Sequence, residues 1–136
     1  MATKIFINLP VKDLNRSISF FTDLGFSFNP QFTNEKGTCL IIGENINAML
    51  LVEEFYATFT NKEICNAQTT SEVLLSISLE TRKKVDEIMA KVAIAGGNEY
   101  TESKDYGWMY QRTFFDLDGH HWEIFYMDES QIPDKM

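Results

Sequence analysis

The sequence predicts an α+β chain of two βαβββ modules whose mixed sheets curve around a cavity. Three observations carry this reading. A strand, an acidic or hydroxyl cap and an amphipathic helix occur in that order twice. A glycine closes each helix. Three short strand-like runs, set apart by turn residues, follow each glycine.

The first module spans about 4–53. Ile5–Leu9 alternates within an apolar stretch and reads as a strand. Asp13 follows as a helix cap, and Leu14, Ile18, Phe21 and Leu24 recur at helical spacing. Gly25 supplies the left-handed residue that ends the helix. Strand-like runs at Phe26–Thr33, Cys39–Gly43 and Ile46–Glu53 come next, split by Asn34-Glu35-Lys36-Gly37 and Gly43-Glu44-Asn45. A connector over 54–72 contains Phe55, Tyr56 and Phe59, enough apolar area for a short helix.

The second module spans 73–127. Val73–Leu79 is its first strand, and Glu80 or Thr81 opens a helix with the stripe Val85, Ile88, Met89, Val92 and Ala95. Gly96-Gly97 ends it. Strands are expected at Asn98–Thr101, Met109–Phe115 and His121–Met127, the last two joined by a tight turn at Asp118-Gly119. From Asp128 the chain reads as a polar tail.

Composition narrows the function classes. With 136 residues, 44% hydrophobic and 13% aromatic, the chain has the apolar content of one globular domain, and burial of roughly 68% of its unfolded surface makes a metal or disulfide staple unnecessary. The 12 basic residues face 20 acidic ones, a net charge of -8, which disfavours nucleic acid and anionic membrane surfaces. No apolar run is long enough to span a bilayer, and no signal-peptide core stands at the N-terminus. A cytoplasmic location with reduced thiols at Cys39 and Cys65 is therefore expected. Neither cysteine has a metal-site spacing or a catalytic setting.

Strand alternation divides each module into two faces. Ile5, Ile7 and Leu9 share one side against Phe6 and Asn8; Val73, Leu75, Ile77 and Leu79 oppose Leu74, Ser76 and Ser78; Trp122 and Ile124 oppose His121, Glu123 and Phe125. The greasy faces suit helix cover. The mixed faces suit the wall of a ligand cavity, if the two modules join edge to edge.

The repeat, the segment from Leu9-Pro-Val-Lys-Asp through Asp-Leu-Gly-Phe26, and the run Asp116-Leu-Asp-Gly-His-His-Trp-Glu-Ile-Phe125 resemble the vicinal oxygen chelate superfamily over nearly the whole chain. That superfamily includes glyoxalase I, extradiol dioxygenases and bleomycin resistance proteins. The resemblance implies a divalent metal held by side chains from four strands, with open positions for two substrate oxygens. Phe6 stands at the place of the first ligand, Met49 or Leu50 at the second, and Leu74 at the third. Only Glu123 matches, so no metal and no other cofactor is expected. His121 lies on the face of Glu123 and, with Asn8, is the one substitute ligand on offer; His120 points the other way.

Glu123 is thus the candidate catalytic or binding carboxylate. Burial among Phe6, Leu74 and Phe125 would raise its pKa, whereas an ion pair with Arg112 would lower it; Arg112 and Gln111 compete for the inward face. Phe6, Asn8, Leu74, Ser76, Tyr110, Arg112, His121 and Phe125 are the expected ligand-binding residues, with Tyr110, Tyr106 and Trp108 available for stacking. Two functions are consistent with this set. One is a metal-free protein that encloses a small, largely apolar molecule. The other is a lyase, isomerase or dioxygenase resembling glyoxalase I, with Glu123 as base or residual metal ligand. The resemblance implies a homodimer in both cases, since open sheet edges invite pairing.

Overall fold

A computed structural model describes residues 2–134, and the chain forms two compact units, Met1–Asn66 and Ala67–Met136. The division falls inside the connector.

In the first unit, β1 (Ile5–Val11) leads to α1 (Leu14–Asp23), then β2 (Ser27–Asn34), β3 (Gly37–Gly43), β4 (Ile46–Val52), the short α2 (Glu53–Tyr56) and a 3-10 turn over Ala57–Phe59. The sheet order is β1-β4-β3-β2, with β1 and β4 parallel and the other pairs antiparallel. The Asp13 side chain caps α1 by accepting from the Arg16 N–H at 3.1 Å. The C-terminus closes on Gly25 at φ 102°, with Phe26 N–H donating to Phe21 O and Gly25 N–H to Thr22 O. Leu14, Ser17, Phe20 and Phe21 form the buried stripe of α1. The helix packs on β3 and β4, and Leu9, Val11, Leu40, Ala48 and Leu50 are buried in the same core.

The second unit repeats the plan. β5 (Leu74–Leu79) leads to α3 (Arg82–Ala95), then β6 (Asn98–Glu99), β7 (Lys104–Asp105), β8 (Met109–Phe115), β9 (His121–Met127) and a 3-10 turn at Glu129–Gln131. The order β5-β9-β8-β6 matches that of the first unit, and β7 pairs with β8. Thr81, rather than Glu80, caps α3 and accepts from Lys84 N–H at 3.1 Å. Gly96 ends the helix at φ 98°. Val85, Met89 and Val92 of α3 are buried, as are Leu75, Phe114, Trp122 and Ile124 of the sheet.

The structure corrects the run expected at Asn98–Thr101. β6 is only two residues long, and Lys104–Asp105 form a strand absent from the sequence reading. Period-two alternation cannot register in a two-residue strand. β7 pairs with β8, and Arg82 adds a grip on Asp105 with two hydrogen bonds of 2.8 and 2.9 Å. The polar tail contains one ordered turn, where Asp128 accepts from Ser130 N–H. No helix among the described residues is long and apolar enough to cross a membrane.

One buried carboxylate organises the β8–β9 hairpin. Asp116 Oδ1 accepts from the N–H groups of Asp118 and His120 at 2.9 and 3.0 Å, and Oδ2 accepts from Trp122 Nε1 at 2.9 Å. Burial pushes the Asp116 carboxyl above its ordinary value, against the pull of nearby His120 and these donors. Gly119, at φ 88°, completes the turn, and a Cβ there would lie 2.9 Å from the Ala67 and Gln68 backbone. Asp116→Ala is expected to cost about 3 kcal/mol by stranding these donors. Gly119→Ala should cost about 2 kcal/mol through strain and backbone contact. Urea unfolding of both variants checks these values, and a loss under half a kcal/mol in either case would contradict the role assigned.

Candidate functional site

The register of the second sheet decides which side chains can act together. Ser76 and Thr113 flank Glu123 as its partners on β5 and β8. Leu74 and Phe115 flank His121, and Ser78 and Gln111 flank Phe125. These residues share one face, because cross-strand partners point the same way. Their alternates, Leu75, Trp122, Phe114, Ile77 and Ile124, lie on the face that carries α3.

Glu123 is half-buried and fixed by two neutral donors. Ser76 Oγ donates to Oε1 at 2.6 Å and Gln111 Nε2 to Oε2 at 2.8 Å. His121 packs against Tyr100 and Phe115, with ring centroids 5.0 and 5.3 Å away, and Tyr100 and Phe115 stand 4.8 Å apart. Leu74, Ser76 and Ser78 are exposed and Phe125 half-buried. Two buried polar atoms on this face, Thr113 Oγ1 and His121 Nε2, have no hydrogen-bond partner.

Gln111, not Arg112, therefore takes the face of Glu123. Tyr110 and Arg112 are turned to the α3 side, since a strand alternates at every residue and Thr113 is fixed opposite Glu123. The expected Glu123–Arg112 ion pair is not formed. Arg112 instead makes a two-pronged contact with Glu99 at 2.8 Å on both arms and reaches Asp86 at 2.9 Å. Tyr110 donates its hydroxyl to Asp86 at 2.6 Å, and Arg82 lies over the Tyr110 ring. Both side chains thus stand off the face of Glu123, in a clamp that ties α3, β6 and β8 together.

The clamp shifts its own titrations. The Tyr110 hydroxyl and then Arg112 hold the Asp86 carboxyl below its usual value, and Arg112 does the same to Glu99. Arg82 and the Gly107 N–H lower Asp105 to about 2. Arg112 is raised by Glu99.

Of the remaining expected residues, Phe6 and Asn8 belong to the first unit. Both are exposed, and Asn8 Nδ2 donates to Phe6 O at 3.3 Å. Met49 is the register partner of Asn8 and shares its face, whereas Leu50 is buried on the other side. Cys39 is buried and donates to Asn47 Oδ1 at 3.7 Å, and burial pushes its thiol up, which suits packing rather than nucleophilic attack. Thr113, Tyr100 and Phe115 were missed by sequence reasoning. Counting outward from the Asp118-Gly119 turn along both strands would have found Thr113 and Phe115. Tyr100 had no such signal.

Residues 3–43 match a family model described as bleomycin resistance protein-like N-terminal. A solved hypothetical protein from S. aureus is 29% identical, over 93% of this chain and 95% of its own, with a TM-score of 0.78. A glyoxalase/bleomycin resistance protein/dioxygenase family enzyme from Burkholderia phytofirmans covers 93% and 99% at 16% identity and TM-score 0.75. A glyoxalase-related enzyme from Fulvimarina pelagi covers 93% and 88% at 18% identity and TM-score 0.77. This is the vicinal oxygen chelate fold. No curated protein matches the chain.

The side chains at the vicinal oxygen chelate ligand positions do not fit the metal that the family implies. Phe6, Met49 and Leu74 offer no hard or borderline donor, which leaves Glu123 as a single carboxylate. Among the described residues no three His, Cys, Asp or Glu side chains stand close enough to hold an ion.

The depressed carboxyls give a pH prediction. A carboxyl lowered on folding adds stability that is present above its unfolded value and lost as pH falls through its folded value. Acidification from about pH 4 toward about 2 is thus expected to loosen the α3 clamp, following Asp86, Glu99 and Asp105. Arg112→Met should lower the unfolding midpoint at pH 7 and flatten its decline in acid. Equal acid slopes in wild type and variant would show that Arg112 does not set this dependence.

Proposed function

We propose that the chain binds a small, largely apolar molecule on this fold, without the superfamily's metal. One observation supports the reading above the rest. Glu123 is held by two neutral donors, Ser76 and Gln111, and its face combines Leu74, Phe115 and Phe125 with the polar groups of Thr113 and His121. A few fixed polar groups in an apolar surround suit recognition of a small molecule.

A second reading rests on the same carboxylate. Two donors orient it as a general base would require, which supports lyase, isomerase or dioxygenase chemistry with Glu123 as base or residual metal ligand. The binding reading is preferred because no second group of acid–base chemistry is hydrogen-bonded to Glu123.

The protein is proposed to work as a homodimer. β1 and β5 are edge strands of their sheets, and Ile5, Phe6, Val73 and Leu74 are exposed on or beside them. Apolar edges of this kind favour pairing with a second copy.

Metal analysis of the purified protein, before and after soaking with nickel, zinc, manganese and iron, is expected to find far less than one ion per chain. Native mass spectrometry is expected to find a co-purified small molecule whose occupancy falls in Glu123→Gln. Stoichiometric metal that disappears in Glu123→Gln would overturn the metal-free reading in favour of the second.

A further inference from the structure

We propose that the polar end of the bound molecule is a primary or secondary ammonium, received by Glu123, Thr113 and His121 on the mixed face of the second sheet. The proposal rests on the small-molecule reading above and adds the ligand's chemical class.

Charge provides the first argument. Glu123 has no basic partner among the described residues. Arg82 and Arg112, the arginines of this unit, serve the other face and are consumed by Asp105, Asp86 and Glu99, and Lys104, the β7 partner of Gln111 on the Glu123 face, makes no ion pair with Glu123 among the described residues. A half-buried carboxylate among Leu74, Phe115, Phe125 and Tyr100 is therefore uncompensated, and a ligand cation would offset its desolvation. Ser76 and Gln111 each occupy one oxygen, and a carboxylate has room for further donors on both.

Unmet hydrogen bonding provides the second. Thr113, only 3% exposed, stands directly opposite Glu123, and its Oγ1 has no partner. His121 is two residues from Glu123 on the same strand face, and its buried Nε2 is also unpartnered. Buried polar atoms left unpaired are rare in folded proteins and point to something that completes them. A hydroxyl oxygen and the bare nitrogen of a neutral imidazole both accept hydrogen bonds. Carboxylate, hydroxyl and imidazole thus form a group of acceptors spaced by about 5–7 Å between Cβ atoms. An ammonium with two or three N–H donors satisfies such a group. A quaternary ammonium has no donor to give, an alcohol has one and lacks the charge, and an anion is repelled.

The rings supply the flank. Tyr100, Phe115 and His121 are packed within 5.3 Å of one another beside this group, and aromatic faces attract a cation while covering its carbon skeleton.

The test titrates the full chain at pH 7 with phenethylamine, its N,N,N-trimethyl derivative and 2-phenylethanol, followed by calorimetry and by amide NMR shifts. Phenethylamine is expected to bind about tenfold more tightly than the alcohol, the value of one charge-assisted hydrogen bond. Glu123→Gln should remove that preference. Thr113→Val, equal in shape, should weaken the amine severalfold, leave the trimethyl form unchanged, and keep or raise the unfolding midpoint because it deletes an unpaired buried hydroxyl. Binding of the alcohol as tight as that of the amine, an unchanged preference in Glu123→Gln, or no saturable binding of the amine overturns the proposal. The small-molecule reading fails separately, if native mass spectrometry finds no co-purified molecule and none of the three probes binds.

Discussion

The buried carboxylate of Asp116 sets the register on which the second unit depends. Its three N–H donors come from the turn and from Trp122, so it fixes where β8 ends and β9 begins. From that point the pairing runs outward without a slip: Phe115 with His121, Thr113 with Glu123, Gln111 with Phe125. A shift by one residue would send every side chain of a strand to the opposite face. Which side chains share the face of Glu123 is thus decided at a turn outside that face.

The same register separates two kinds of chemistry. On the α3 side, Arg112 and Arg82 are each matched to carboxylates, and the tyrosine between them is hydrogen-bonded. On the other side stands one carboxylate with neutral donors and rings. Both arginines of this unit are thus engaged away from Glu123.

Much of this was legible in the sequence. The two modules, the Asp13 cap, the closing glycines Gly25 and Gly96 and the faces of β1, β5 and β9 follow from short-range periodicity and turn chemistry, which are local properties of the chain. Glu123 was legible because it sits a fixed step beyond Asp116-x-Asp-Gly. Three things were not. The side on which Arg112 points depends on pairing with β9, a contact between strands. β7 is a two-residue strand paired with β8 and gripped by Arg82 from another element. The unpaired atoms of Thr113 and His121 are properties of the packed state, and no residue type announces them.

β8 has a double duty whose consequence reaches beyond the folded molecule. Its even-numbered residues Tyr110 and Arg112 anchor the helix, and its odd-numbered ones, Gln111 and Thr113, serve the opposite surface. Removing or adding a single codon inside this strand would exchange the two sets, pulling the guanidinium away from its acids and setting an amide in its place. A substitution in this strand therefore alters one face at a time, whereas a change in its length alters both.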